Sequence, residues 1–257
     1  MPRTHKLNKL IVLYDDNDIS IDVEVAGWFT DDTASRFRAY GWKVLEDIDG
    51  HSLDDLDRAI GESRRANAPC LIICKTTIGF GSPNKEGTAS SHGSPLGEEE
   101  VTLTREKLNW TWEPFEIPQD VYDAWSCRDK GEAAEQTWRE LFSQYKEAFP
   151  DLAREFEENL SGKLPSTWTS SLLSFARDLQ KDAKPMASRN ASRLVIEKLD
   201  TMLPNLMGGS ADLSGSNCTD WSKAKPLTRD DASGNYISYG VREFGMTAIS
   251  NGIALHR

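Results

Sequence analysis

Residues 9–22, KLIVLYDDNDISID, decide the fold, because a short apolar run stops abruptly in consecutive acidic and amide side chains. A short run rich in β-branched residues is typical of a buried strand in a parallel sheet. Its polar tail then lies at the carboxyl edge of the sheet, where open α/β proteins bind ligands. We therefore predict an α/β fold with candidate site residues directly after this strand.

Strand and helix patterns alternate outward from that stretch. KVLEDIDG (43–50) and PCLIICKT (69–76) predict two further strands, and the segments between the strands have helical periodicity. The residues assigned to the helices are Thr30 and Ser52 as N-caps, and Leu53, Leu56 and Ile60 as the inner stripe of the second helix. Such alternation predicts a parallel sheet covered on both faces.

Three regions follow this first unit. The glycine-rich loop, residues 78–97, contains His92 and has neither helical nor strand periodicity, and a loop of this length is uncommon unless it is functional or disordered. Residues 131–182 have a charged helical pattern. A second α/β unit begins near residue 185 with a helix whose inward side is predicted to carry Leu194, Val195 and Leu199. Two short strand patterns and a final helix follow, and this second unit is expected to be unfinished.

Composition limits the classes of partner. The net charge of −11 over 257 residues disfavours nucleic acid and anionic membrane surfaces, both of which require basic patches. The apolar segments are all shorter than the roughly 20 residues that span a bilayer, so a cytoplasmic location is expected. Cys70 and Cys74 lie four apart on a predicted strand, where buried small hydrophobes are expected rather than metal ligands.

The candidate site residues each have two interpretations when only the local pattern is considered. Asn17 supplies an oxygen of the kind Mg²⁺ or Ca²⁺ prefers, but Asp-Asp-Asn is also ordinary turn chemistry. His92 fits a proton-transfer group or a surface imidazole. Arg189 at a helix start suggests an anionic partner or a surface salt bridge. The remaining candidates are Asp212 and Ser216, in a phosphate-binding loop or a polar turn, and Glu243, in the first turn of the last helix.

Several long blocks, taken in order, resemble bacterial-type transketolases from about residue 5 to residue 256. The blocks are KLNKLIVLYDDNDISID, GWFTDDTASRFRAYGW, CKTTIGFGSPNKEGTASSHGSPLG, GGSADLSGSN and GNYISYGVREFGMTAISNGIALH. The resemblance implies thiamine diphosphate and a divalent cation, Mg²⁺ or Ca²⁺, as cofactors. It also implies transfer of a two-carbon ketol unit from a ketose phosphate to an aldose phosphate in the pentose phosphate pathway.

The same resemblance assigns roles residue by residue. Asn17 and the Ile19 carbonyl are implied metal ligands at the diphosphate. His92 is an implied catalytic residue that reaches cofactor and substrate, and Arg189 and Ser216 an implied pair that holds the sugar phosphate. Glu243 is the implied catalytic carboxyl at the aminopyrimidine ring, where it must be buried with a raised pKa, and Asp212 lies near the cofactor.

The implied organisation is two thiamine-diphosphate-binding-type α/β units with parallel sheets, both incomplete. Residues 1–130 resemble the C-terminal part of a diphosphate-binding domain, 131–184 a helical connector, and 185–257 the N-terminal part of a pyrimidine-binding domain. The Gly-Asp-Gly turn that supplies the family's metal aspartate is missing upstream of Asp15. We therefore expect an inactive fragment of a homodimeric parent enzyme.

Two alternatives remain at this level. A related ketol transferase, such as dihydroxyacetone synthase or 1-deoxyxylulose-5-phosphate synthase, would share the cofactor chemistry. A non-catalytic truncated chain that associates with an intact enzyme would share only the fold.

Overall fold

The computed structural model describes residues 1–182 and 184–256. Contacts between Cα atoms divide the chain into two compact units, the first ending at Trp125 and the second beginning at Ser126. In the described part of the chain, none of the helices combines the length and apolar character needed to cross a membrane.

The first unit contains a three-stranded parallel sheet. Its elements are β1 (Ile11–Asp16), α1 (Thr33–Ala39), β2 (Lys43–Asp49), α2 (Leu53–Arg64), β3 (Cys70–Lys75), α3 (Glu98–Lys107) and α4 (Gln119–Trp125). The strand order is β1-β3-β2, with Ile11 and Lys43 both opposite Cys70. The α/β prediction and the three strands are confirmed, whereas α4 was not predicted.

The central strand β3 separates two apolar layers because its side chains alternate between the faces of the sheet. Leu71 and Ile73 pack with Ala34 of α1 on one face. Ile72 and Cys74 pack with Ala59 of α2 on the other face. Burial of Cys70 and Cys74 is confirmed, and desolvation, with the nearby Asp15 charge as a smaller cause, raises the pKa of the Cys74 thiol.

The predicted start of α1 is wrong. The N-cap is Asp32, whose carboxylate accepts a hydrogen bond from the Ser35 N–H at 2.8 Å, and Thr30 lies outside the helix. The start of α2 is confirmed, since the Ser52 hydroxyl accepts from the Asp55 N–H at 3.3 Å.

The predicted inner stripe of α2 is partly wrong. Leu56 and Ile60 pack against the core as expected. Leu53, the first residue of the helix, is 82% exposed and lies outside the cluster that packs on the sheet.

The second unit is mainly helical, with one short parallel strand pair. Its elements are α5 (Arg128–Ala148), α6 (Pro150–Ser161), α7 (Trp168–Asp182), α8 (Ser188–Asp200), β4 (Gly208–Ser210), α9 (Ser214–Asn217), β5 (Tyr236–Ser238) and α10 (Glu243–His256). Gly208 and Ser210 lie opposite Tyr236 and Ser238. The expected helices and strands are present and α9 was not predicted. Of the expected inward residues of α8, Leu194 and Leu199 are half-buried, whereas Val195 is 41% exposed.

Glycine allows the close approach of β4 and β5. A Cβ at Gly209 would meet the Ile237 carbonyl oxygen at 2.3 Å and the Tyr239 ring at 2.5 Å. The buried Trp221 lies against Gly208, and its indole N–H donates to Asp200 at 2.8 Å. These contacts fix where the two strands end, and therefore where the following segments begin.

Candidate functional site

The polar tail of β1 lies at the carboxyl edge of the first sheet, as predicted. Asp16 lies opposite Lys75 in the β1–β3 register, and the Lys75 ammonium pairs with the Asp16 carboxylate at 2.5 Å. The hydrogen bond to Asp16 is the main reason that the pKa of Lys75 is raised. The Thr76 hydroxyl donates to Asp15. Both aspartates are thus committed to protein partners.

The segment after Asp16 turns sharply and carries two oxygen atoms that could bind a cation, the side-chain oxygen of Asn17 and the carbonyl oxygen of Ile19. The side-chain oxygen of Asn17 accepts from the Ile19 N–H at 3.1 Å, an Asx turn. Asp18 has a left-handed φ of +60°, and its carbonyl accepts from the Val25 N–H at 2.9 Å. Ile19 also forms an antiparallel bridge with Glu24, so the backbone that carries its carbonyl is held on both sides.

An open cavity of about 430 Å³ lies beside this turn. Its lining comes from all three strand ends and comprises Leu13, Asp15, Asn17, Gly50, His51, Leu56, Cys74, Thr76, Thr77 and Ile78. Convergence of polar groups from neighbouring strand ends is the usual form of a binding site in an open α/β sheet.

The donors at this edge fit a hard divalent cation only in part. Asn17 and Ile19 offer the neutral oxygens that Mg²⁺ and Ca²⁺ accept. Among the described residues, no three His, Cys, Asp or Glu side chains are grouped so that they could hold a metal ion. A cation here would therefore need its remaining oxygens from water and from an anionic ligand such as a diphosphate.

His51 is a residue of this edge that sequence reasoning missed. Its Nε2 accepts from the Thr77 N–H at 2.8 Å, and its ring stacks on Phe80 with centroids 4.0 Å apart. The local sequence Gly-His-Ser carries no signal for this role, since both partners lie more than 20 residues downstream.

The glycine-rich loop is ordered by its own polar contacts, with one short 3₁₀ turn at Ala89–Ser91. His92 follows that turn with an exposed side chain, and its backbone N–H donates to the Ala89 carbonyl at 3.0 Å. In the described part of the chain, the cavity lining that includes Asn17 does not include His92. The structure therefore places His92 on the loop without bringing it into the lining of that cavity.

Glu100 of α3 forms hydrogen bonds with Ser82 and Asn84, near the start of this loop. Glu100 is only 7% exposed. Its carboxylate accepts hydrogen bonds from the Ser82 hydroxyl, from the Asn84 N–H at 2.8 Å and from the Asn84 side-chain amide at 2.9 Å. These hydrogen bonds lower the pKa of Glu100 to about 2, because they stabilise the ionised carboxylate, and the bond from Ser82 has the largest effect.

A pH titration should reveal this arrangement. Because the pKa of Glu100 is lowered in the folded chain from 4.5 to about 2, its stabilising contribution is complete above about pH 4.5 and is lost as the pH falls towards 2. We expect the Asn84 amide proton resonance to titrate with a midpoint near 2, and this titration to vanish in Glu100→Gln. A midpoint near 4.5 would contradict the described geometry.

In the second unit, three candidate residues lie just beyond the carboxyl ends of β4 and β5. Asp212 follows β4 with a left-handed φ of +66°, and Ser216 lies in α9. Glu243 is the first residue of α10, as expected. The Ser210 hydroxyl accepts a hydrogen bond from the Leu213 N–H at 2.9 Å and so stabilises the turn between β4 and α9.

The burial expected for Glu243 is not found, since its side chain is exposed in this chain. The first turn of α10 begins immediately after a loop, and Val241 and Phe244 beside it are 74% and 91% exposed. The residues described here therefore provide no apolar enclosure for this carboxyl.

The segments that carry Arg189 and Ser216 lie close together. Cys218, two residues after Ser216, donates through its thiol to the side-chain oxygen of Asn190 at 3.4 Å. Arg193, one turn further along α8, lies 3.8 Å from the carboxylate of Asp220. Arg189 and Ser216 are both exposed, so their donors are accessible to a ligand.

These features define a protein with two α/β units, each with polar residues at the carboxyl ends of parallel strands. Residues 1–165 match the family model described as transketolase, thiamine diphosphate binding domain. Residues 184–257 match the model described as transketolase, pyrimidine binding domain. The chain belongs to the transketolase family.

Individual relatives agree with this assignment. The chain is 53% identical over 254 residues to transketolase 1 of Escherichia coli strain K12, covering 98% of this chain and 38% of that protein. It is 52% identical over 250 residues to transketolase 2 of Vibrio parahaemolyticus, covering 97% and 38%. Among solved structures, the transketolase of Pichia stipitis in complex with sedoheptulose-7-phosphate is similar, with a TM-score of 0.86 and 34% identity over 98% of this chain and 38% of that one. The chain thus spans 38% of these relatives' length.

Proposed function

We propose that this chain supplies part of the site of a transketolase, which transfers a two-carbon ketol unit from a ketose phosphate to an aldose phosphate in the pentose phosphate pathway. The observation that carries the proposal is the match of both family models, in order, over 1–165 and 184–257. The substrate class follows the sugar phosphate bound by the Pichia stipitis relative.

Asn17 and Ile19 would hold the divalent cation, Mg²⁺ or Ca²⁺, at the diphosphate of thiamine diphosphate. The Asx turn and the Ile19–Glu24 bridge keep the two oxygens in fixed positions before the cation binds. When bound, thiamine diphosphate supplies the carbon nucleophile of the reaction.

The remaining roles concern substrate and proton. Arg189 and Ser216 would bind the sugar phosphate, since a guanidinium and a hydroxyl complement a phosphate dianion. His92 would bind both cofactor and substrate and move a proton at the reacting hydroxyl. Glu243 would share a proton with the aminopyrimidine ring, which requires that other residues enclose its exposed carboxyl, and Asp212 would lie near the cofactor.

The proposed organisation keeps residues 1–130 as a diphosphate-binding part, 131–184 as a connector and 185–257 as a pyrimidine-binding part. The full-length parent would be a cytoplasmic homodimer that requires neither nucleic acid nor a membrane. The isolated chain is expected to show no ketol transfer, because the proposed metal site draws only Asn17 and Ile19 from the described residues.

A chimeric enzyme tests this function. The matching segment of Escherichia coli transketolase 1 would be replaced by this chain, and ketol transfer would be measured in a coupled assay. We expect an active chimera in which Arg189→Ala raises KM for the sugar phosphate roughly 10- to 100-fold, as loss of charge-assisted hydrogen bonds predicts. Glu243→Gln should lower kcat, and Asn17→Ala should raise the Mg²⁺ requirement.

The matched controls are Glu99→Gln and Arg139→Ala, which change charges of the same kind outside the proposed site; Arg139 pairs with Glu135 on the same helix, α5. Both should leave KM and kcat unchanged. A folded chimera without ketol transfer, or one in which Arg189→Ala and Arg139→Ala behave alike, would refute the proposal.

A further inference from the structure

The glycine-rich loop connects β3 to α3 over about twenty residues and carries His92. A loop of this length keeps one conformation only where specific contacts offset its conformational entropy. Its contacts form a continuous path from α3 to His92, and Glu100 is the first member of that path.

Glu100 acts on the loop rather than on its own helix. At the third position of a helix, a glutamate ordinarily bonds back to the N-cap N–H. Here the N-cap is Gly97, and the Glu100 carboxylate instead accepts from Ser82 and Asn84, well upstream. Its place in the first turn also favours the negative charge.

The next step of the path passes through Lys85. Its ammonium donates to the Leu96 carbonyl at 2.8 Å, and its own carbonyl accepts from the Ser91 hydroxyl at 2.5 Å. Gly79, with a left-handed φ of +65°, leaves room for this hydroxyl, since a Cβ there would lie 2.6 Å from it. Ser91 directly precedes His92. Fixing Asn84 therefore restrains His92 through two backbone links, Asn84–Lys85 and Ser91–His92, and the hydrogen bond between Ser91 and Lys85.

We propose that Glu100 is a positioning residue for His92: its ionised carboxylate holds residues 82–84 and, through the Lys85–Ser91 contact, sets where the imidazole stands. This inference rests on the proposed function only for the use made of His92. The positional coupling is a property of the chain by itself.

The experiment compares Glu100→Ala and Glu100→Gln with the control Glu99→Gln in the whole chain. Amide exchange in the loop and the carbon-bound imidazole proton resonances of His92 would be followed by NMR, with β3 amides as an internal reference. We expect Glu100→Ala to speed exchange at Asn84 and His92 by about tenfold or more and to shift the His92 resonances, because bonds to a charged group are lost. Glu100→Gln should change both readouts less than Glu100→Ala does, and Glu99→Gln should change neither readout.

Two milder variants keep the proposal testable if Glu100→Ala also disturbs β3. Asn84→Ala removes one bond to Glu100, and Ser91→Ala removes the Lys85 contact while leaving Glu100 intact. We expect both to shift the His92 resonances, and Ser91→Ala to leave the Asn84 amide protected. The proposal is overturned if neither shifts His92. It is also overturned if Glu100→Ala leaves the loop amides and His92 unchanged with β3 intact.

These readouts need no cofactor. If the chimera proves inactive while His92 responds to Glu100, the function fails and the positioning role stands. The reverse result would refute the positioning role alone.

Discussion

Replacing Ile72 with alanine is expected to speed exchange of the β3 amides by roughly 30-fold or more. Ile72 is fully buried in the layer between the sheet and α2, in contact with a cluster that includes Ile48 and Ala59. Truncation of a buried isoleucine costs about 2–5 kcal/mol, because apolar transfer energy is lost and a cavity remains. That range is a large share of the stability of an ordinary domain, about 5–15 kcal/mol.

The matched control is Leu53→Ala, a change of similar volume on the neighbouring helix. Leu53 is 82% exposed, so its truncation should change the free energy of unfolding by less than about 0.5 kcal/mol. Exchange of β3 amides reports on the first unit alone, whereas total fluorescence would mix both units. If Ile72→Ala and Leu53→Ala have equal effects, the described core is wrong.

Replacing Gly209 with alanine is expected to separate β4 from β5. The new methyl group would meet the Ile237 carbonyl oxygen at 2.3 Å, a backbone atom that cannot rotate away, and the buried Tyr239 ring at 2.5 Å. Overpacking costs about 1–3 kcal/mol where side chains can adjust, and here the obstacle is backbone, so the upper end applies. Exchange at Gly208 and Tyr239, whose N–H groups bond Asn235 and Ser210 at 3.0 Å, measures the loss.

Gly215→Ala is the control for this prediction. A Cβ at Gly215 has no heavy atom within 4 Å among the described residues, so the same chemical change should leave both probe amides protected. Loss of protection at Gly208 in both variants would indicate a general effect of alanine. Protection retained in Gly209→Ala would contradict the strand pairing.

Sequence patterns predicted the architecture well where local and long-range preferences agree. The apolar runs of β1 and β3 predicted strands, and the Ser52 cap needed only its neighbours. β3 is buried as expected, whereas the expected burial of β1 is wrong, since that strand is at most half-buried and Leu13 is 53% exposed. The errors came from choices between adjacent candidates. Thr30 and Asp32 are both good N-caps, and the carboxylate that reaches Ser35 decides between them. Leu53 has the right spacing but is exposed and does not join the core.

The candidate site likewise contains features that the sequence could predict and features that it could not. The Asn17 turn was foreseeable because it directly follows the apolar run of β1. The contacts of His51 and Glu100 were not foreseeable, because they depend on Phe80, Ser82 and Asn84, which the chain brings near only after folding. The exposed Glu243 shows the limit of a resemblance, which implies a role but not the surroundings that the role requires. The assigned roles of Asn17, Ile19, His92, Arg189, Asp212, Ser216 and Glu243 stay predictions.

The strand order β1-β3-β2 also has a consequence for biosynthesis. β1 and β2 are made first, yet neither pairs with the other, and both pair with β3. Within this sheet, therefore, both strands have their shared hydrogen-bonding partner only after the ribosome has released residues 70–75. The β2–α2–β3 segment is local and can close early, whereas β1 must pair with β3 across a longer chain separation, which is slower. Of the three described strands, β1, which leads into the Asn17 turn, is thus expected to pair last.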